Sequence, residues 1–166
     1  MGVQLFPTLE GYDKYYFLRP STCSVDWKSI PHKLDELDAL AEQLEVASLS
    51  SFMNCTRDDF PSDDKTKDEF EQDSDLIDGV WYYQGQVLWS VEPQWFVPNQ
   101  GLVAVRSLLN HLRFSQDEEV VADYDQDWNE NLEQDYRGVI HELEEMEKIL
   151  NRAVRENRLF RICISG

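Results

Sequence analysis

Carboxylates are the most abundant reactive groups in this sequence, and in one place their spacing is that of a cation-binding loop. Asp123-Tyr-Asp125-Gln-Asp127 sets an acid at every second position, the pattern with which an EF-hand begins. Such a loop also needs glycine at its sixth position and a bidentate glutamate at its twelfth. Counted from Asp123 these are Trp128 and Gln134, and counted from Asp125 they are Glu130 and Tyr136. Neither frame closes, and acids crowded ahead of a helix favour its positive N-terminal end instead. His141 has Glu144 and Glu145 on the same helical face, but a metal site needs at least three convergent ligands, so this pair reads as a surface ion pair.

The nucleophiles are no more pointed. Cys23, Cys55 and Cys163 are odd in number and widely spaced, with no C-x-x-C pair. They read as reduced thiols packed like small hydrophobes. Walker A, G-x-G-x-x-G, H-E-x-x-H and G-x-S-x-G motifs do not occur, and the seven glycines are scattered. The expectation is therefore no catalytic residue, no metal and no cofactor.

Charge is the next signal. The chain has 166 residues and a formal net charge of -18. Residues 58–78 hold ten acids against Lys65 and Lys67, and residues 117–135 hold nine acids and no base. A nearly neutral scaffold thus bears two acidic segments. Such a chain repels phosphate backbones and anionic membranes, so no nucleic-acid or membrane partner is expected. The complementary partner is a basic protein, drawn in by opposite fields. No apolar run reaches the length of a membrane span, and Met1 to Glu10 lacks signal-peptide character, which points to the cytoplasm.

Aromatic residues supply the other half of a binding surface. Trp81, Tyr82, Tyr83, Trp89, Trp95 and Phe96 crowd residues 81–96, and Trp and Tyr are favoured at interface hot spots. The candidate binding residues are Trp81, Tyr83, Trp89 and Trp95, with Asp117, Glu118 and Glu119.

These residues must be positioned by a small set of elements. Residues 2–10 read as a strand that Pro7 marks as an edge. Leu34, Leu37, Leu40, Ala41 and Leu44 repeat at helical steps behind Ser29 as cap and Pro31 in the first turn. Val80 to Val91 reads as a hairpin around Gln84-Gly85. Leu102, Val105, Leu108, Leu109 and Leu112 make a second helical stripe beyond Asn99, and Trp128 to Val154 a third and longer one. Leu159 to Ile164 is a closing strand, expected to pair with the first. The class is α+β: a small sheet built from the terminal strands and a central hairpin, packed against three helices. The chain reads as one domain, 1–166, with an acidic mobile loop at about 57–78.

The run Trp95-Phe96-Val-Pro98-Asn-Gln-Gly101-Leu102-Val-Ala-Val105-Arg106-Ser-Leu108-Leu109, followed by a long acidic helix and an apolar strand, resembles a group of small, acidic, uncharacterised bacterial proteins. In that group a W-F-x-P-x-x-G-L turn opens a V-R-x-L-L helix. The resemblance covers the C-terminal half, leaves the hairpin at 80–91 as an insertion, and implies a fold and a bacterial cytoplasm, not an activity.

The reading from sequence is a non-enzymatic cytoplasmic protein that works by protein–protein interaction or regulation. Two alternatives stay open. One is an inhibitor or immunity-type protein masking a basic enzyme surface; the other is a small carboxylate- or metal-dependent hydrolase. A homodimer through a sheet edge or the outer face of the hairpin is a further expectation.

Overall fold

The computed structural model describes residues 2–60, 62–121 and 126–165, and of residues 115–121 and 126–135 it gives helical backbone but not side chains. Strands β1 (Gln4–Leu9) and β5 (Phe160–Ser165) pair antiparallel along their length, from Gln4 opposite Ser165 to Leu9 opposite Phe160. Pro7 sits inside β1 without breaking this ladder. The Leu5 N–H turns away from β5 to the Trp27 carbonyl at 2.9 Å. Alternation sends the Pro7 nitrogen the same way, where the missing donor costs the pair nothing.

Helices α1 (Ser29–Gln43), α3 (Pro98–Val121) and α4 (Gln126–Glu156) pack with this two-stranded sheet around one core. Leu102, Val105, Leu108 and Leu109 of α3 meet it together with Val139, Leu143, Met146 and Leu150 of α4. These are the stripes expected from their three- and four-residue spacing. Arg106 reaches across to Glu147 at 3.1 Å and Asn151 at 3.0 Å, and Arg113 to Glu144 at 2.9 Å, so the two helices run antiparallel. Gly101 lets them close on β5: a Cβ there would meet the Phe160 ring at 2.5 Å. The first helix is capped differently from the sequence expectation. Ser29 lies inside the first turn, and the cap is Glu142 of α4, whose carboxylate accepts the Ser29 and Ile30 N–H groups at 2.8 Å each.

The α+β class holds, with the sheet divided in two. A second, three-stranded antiparallel sheet contains β2 (Ser74–Ile77), β3 (Val80–Tyr83) and β4 (Gln86–Ser90) in that order. Two tight turns make it. Asp78 and Gly79 have φ of 51° and 79°, and Gln84 and Gly85 have φ of 50° and 79°, the paired left-handed residues of two-residue hairpin loops. The second of these is the hairpin expected around Gln84-Gly85. Where the sequence reading has a loop at about 57–78, the structure places a 3-10 turn at Arg57–Asp59, helix α2 (Asp64–Gln72) and β2. Local chemistry explains the helix: the Asp63 carboxylate caps it by accepting the Thr66 N–H at 2.8 Å, and Phe70 anchors it against Phe60 at 5.8 Å between ring centres.

Asn54, 8% exposed, ties the two sheets together. Its N–H donates to the Ile162 carbonyl at 3.1 Å, and its carbonyl accepts from Arg161 at 3.0 Å. Its side-chain amide donates to the Ser90 hydroxyl at 3.1 Å, while its side-chain oxygen accepts the Gln94 N–H at 2.7 Å. Among the described residues no helix is long and apolar enough to cross a membrane.

Candidate functional site

The strongest polar constellation lies between the two sheets. Arg161, on β5, and Lys14 both converge on Asp59, whose side chain is 4% exposed. Asp59 accepts from Arg161 at 3.0 Å, from the Thr56 N–H at 2.7 Å and from the Thr56 hydroxyl at 3.1 Å, and it forms an ion pair with Lys14. Burial alone would raise the Asp59 carboxyl, but Lys14, the Thr56 amide and Arg161 together hold it below the usual carboxylate range. Burial likewise opposes the charge on Lys14, and Asp59 more than restores it. The Arg161 guanidinium stands 5.2 Å from the centre of the Trp95 ring, a cation–π contact. Among the described residues its buried Nε has no hydrogen-bond partner. This is a fixed ionic joint; every acceptor faces a donor of the protein itself.

The thiols near it are held neutral. Burial, followed by the Asp59 charge, pushes Cys55 up, and burial pushes Cys163 up. Cys23 is pushed up to about 11 by burial first and Glu145 second. None has the depressed pKa of a nucleophilic cysteine.

The three-stranded sheet is where surface chemistry collects. One face looks inward, onto α2 and Phe60. Trp89 is 1% exposed there, its ring 5.2 Å from Phe60 and its N–H donating to Glu71 at 3.2 Å. Tyr83 packs edge-on against Phe70 at 5.2 Å. The alternation of the strands puts Tyr82, Val87, Val80 and Ile77 on the other face. Ile77 is 55% exposed and Val87 65%. Asp75 stands opposite Tyr82 on that same face, and Asp78 occupies the turn.

Between α2 and the sheet lies a cavity of about 210 Å³ lined by Thr66, Glu69, Phe70, Asp73 and Tyr83. Glu69 lies in the last turn of α2 and Asp73 just past its end. Two other acids of α2 are engaged, Asp68 with Arg57 at 2.6 Å and Glu71 with Arg57 at 3.7 Å. Among the described residues the Glu69 and Asp73 side chains have neither a hydrogen bond nor an ion pair.

Three of the four candidate aromatics share the inner face of the sheet, with Trp81 directly opposite Trp89 and Tyr83 two residues along β3, and Trp95 stands apart. Trp81 and Tyr83 are half-buried on β3, Trp89 serves packing under the sheet, and half-buried Trp95 covers Arg161 on the other side of Asn54. The Asp117, Glu118 and Glu119 side chains and the Asp123–Asp127 spacing lie outside the described residues. His141 stays 3.9 Å from Glu144, while Glu144 turns to Arg113 and Glu145 to Lys148 and Ser24. The open groove beside them, about 490 Å³ and lined by Asp26, Ser29, His141 and Glu142 among others, gathers no ligand set. Among the described residues no three His, Cys, Asp or Glu side chains are grouped to hold a metal ion.

The ionic joint escaped the sequence reading because its members are spread along the whole chain. The one local signal is Arg161, a lone charge inside the apolar run Leu159 to Ile164. Compared with family models, curated proteins and solved structures, the chain matches none.

Proposed function

We propose that this chain is a non-enzymatic cytoplasmic protein that binds a basic protein partner through its three-stranded sheet. The observation that carries the reading is the outer face of that sheet, where exposed Ile77 and Val87 flank Tyr82 beside the exposed carboxylates Asp75 and Asp78. An apolar centre with a charged rim is the composition of a transient interface. The acids would speed encounter with a cationic surface, and the apolar residues would slow release. The polar joint at Asp59 favours binding over chemistry, since its carboxylate is engaged by Lys14, Thr56 and Arg161.

Immobilised protein exposed to lysate at low salt tests this, with retained proteins identified by mass spectrometry. Basic proteins should be retained, released by about 1 M salt, where charge is screened beyond roughly 3 Å, and reduced by the folded Ile77→Ser, Val87→Ser variant. Retention that ignores both salt and the substitutions overturns the reading, as does no retention above bare matrix.

A further inference from the structure

The outer edge of the three-stranded sheet is open. β2 is its terminal strand, and among the described residues no backbone hydrogen bond leads from Ser74–Ile77 to another element on that side. The two-residue turn at Asp78-Gly79 fixes which groups are free. Ile77 and Val80 form the hydrogen-bonded pair next to such a turn, so Asp75 also points its backbone inward and Ser74 and Leu76 point theirs out. Leu76 is 52% exposed.

An edge like this is a template for another strand. Its charge decides which strand. Asp73, Asp75 and Asp78 run along it, all exposed, so a second copy of the chain paired there would set like charges against each other. A strand bearing Lys or Arg meets opposite charge instead. The side chain opposite Ser74 lies on the inner face with Tyr83, which lines the cavity together with Glu69, Phe70 and Asp73. Two carboxylates and two aromatic rings lining one cavity suit an ammonium or guanidinium on an apolar stem.

Resting on the binding reading above, we infer that the partner contributes an extended basic segment that adds to β2 as a fourth strand and seats one Lys or Arg side chain in the Glu69–Asp73 cavity. Alternate residues of that segment extend the apolar face of Ile77, Tyr82 and Val87.

The probe is an octapeptide of alternating Lys and Val, titrated into the full chain and followed by residue-resolved amide hydrogen exchange. Two controls accompany it: the same peptide N-methylated at alternate amides, and an alternating Glu-Val peptide. The expected result is new protection at the Ser74 and Leu76 amides with the Lys-Val peptide alone. Glu69→Gln or Asp73→Asn should weaken binding about threefold to fivefold each, the range of a partly exposed ion pair. Equal binding of the N-methylated peptide, or contacts confined to Tyr82 and Val87, overturns strand addition and leaves the lysate result standing. Protection of Ser74 and Leu76 that grows with protein concentration in the absence of peptide assigns the edge to a second copy, which also overturns it. Absence of any peptide binding does the same, and the general reading is then judged by the capture experiment alone.

Discussion

Replacing Asp59 by Asn should remove about 3–5 kcal/mol of stability at neutral pH, the cost of stranding a buried charge by deleting its partner. The geometry sets this size. Lys14 has a side chain 19% exposed and can regain water, whereas Arg161 is 8% exposed and has Asp59 as its carboxylate. Asn keeps the shape and one acceptor for the Thr56 groups, so the loss falls chiefly on the Arg161 charge. Against a typical total of about 5–15 kcal/mol, this is a large share. With a urea slope near 2 kcal/mol/M, the unfolding midpoint should fall by about 2 M. A second readout comes from acid. Asp59 ionises more readily folded than unfolded, so its contribution is present above the ordinary carboxylate pKa and is lost as pH falls through the lower folded value. The wild type should lose that increment in acid, and D59N should not. Adding Arg161→Met to D59N should recover part of the loss, since the stranded charge is gone. Urea unfolding at neutral and acid pH, read by tryptophan fluorescence, measures all of this. A loss below about 1 kcal/mol with an unchanged acid limb would refute the claim that the joint is buried and coupled.

Gly101→Ala should cost roughly 1–3 kcal/mol by overpacking, because the new methyl meets Phe160 and Leu150; a thermal melt that matches wild type would show that β5 shifts freely. A disulfide reagent such as Ellman's should react slowly with Cys23 and Cys163 in the native protein, since both are buried and held neutral. All three thiols should react promptly in denaturant, and prompt native labelling of either buried thiol would contradict the packing described.

How much of this was legible depends on whether the signal was local. The stripes of α1, α3 and α4 repeat every three or four residues and are visible in the sequence; so is the Gln84-Gly85 hairpin. Asp78-Gly79, between Leu76-Ile77 and Val80-Trp81, is an equally good hairpin signal, but it lies within an acidic run that reads as a loop by charge density. Charge density misleads there because the neutralising cations are not all local. Arg57 answers Asp68 and Glu71, while Asp59 is matched by Lys14 and Arg161 from opposite ends of the chain. The Glu142 cap on α1 and the fates of Trp89 and Trp95 are tertiary facts in the same way. Alternation separates the faces of a strand but does not say which face α2 covers.

The pairing of β1 with β5 also bears on how the molecule comes into being. Leu5, Phe6 and Leu9 are fully buried on a strand whose ladder partner lies nearly the whole chain away, so that ladder cannot form before Phe160–Ser165 has been synthesised. Closing so long a loop is entropically slow. The hairpins of the second sheet need only their own neighbours and can assemble early. A nascent chain can therefore form its acidic, apolar-faced sheet while β1 still lacks its ladder partner.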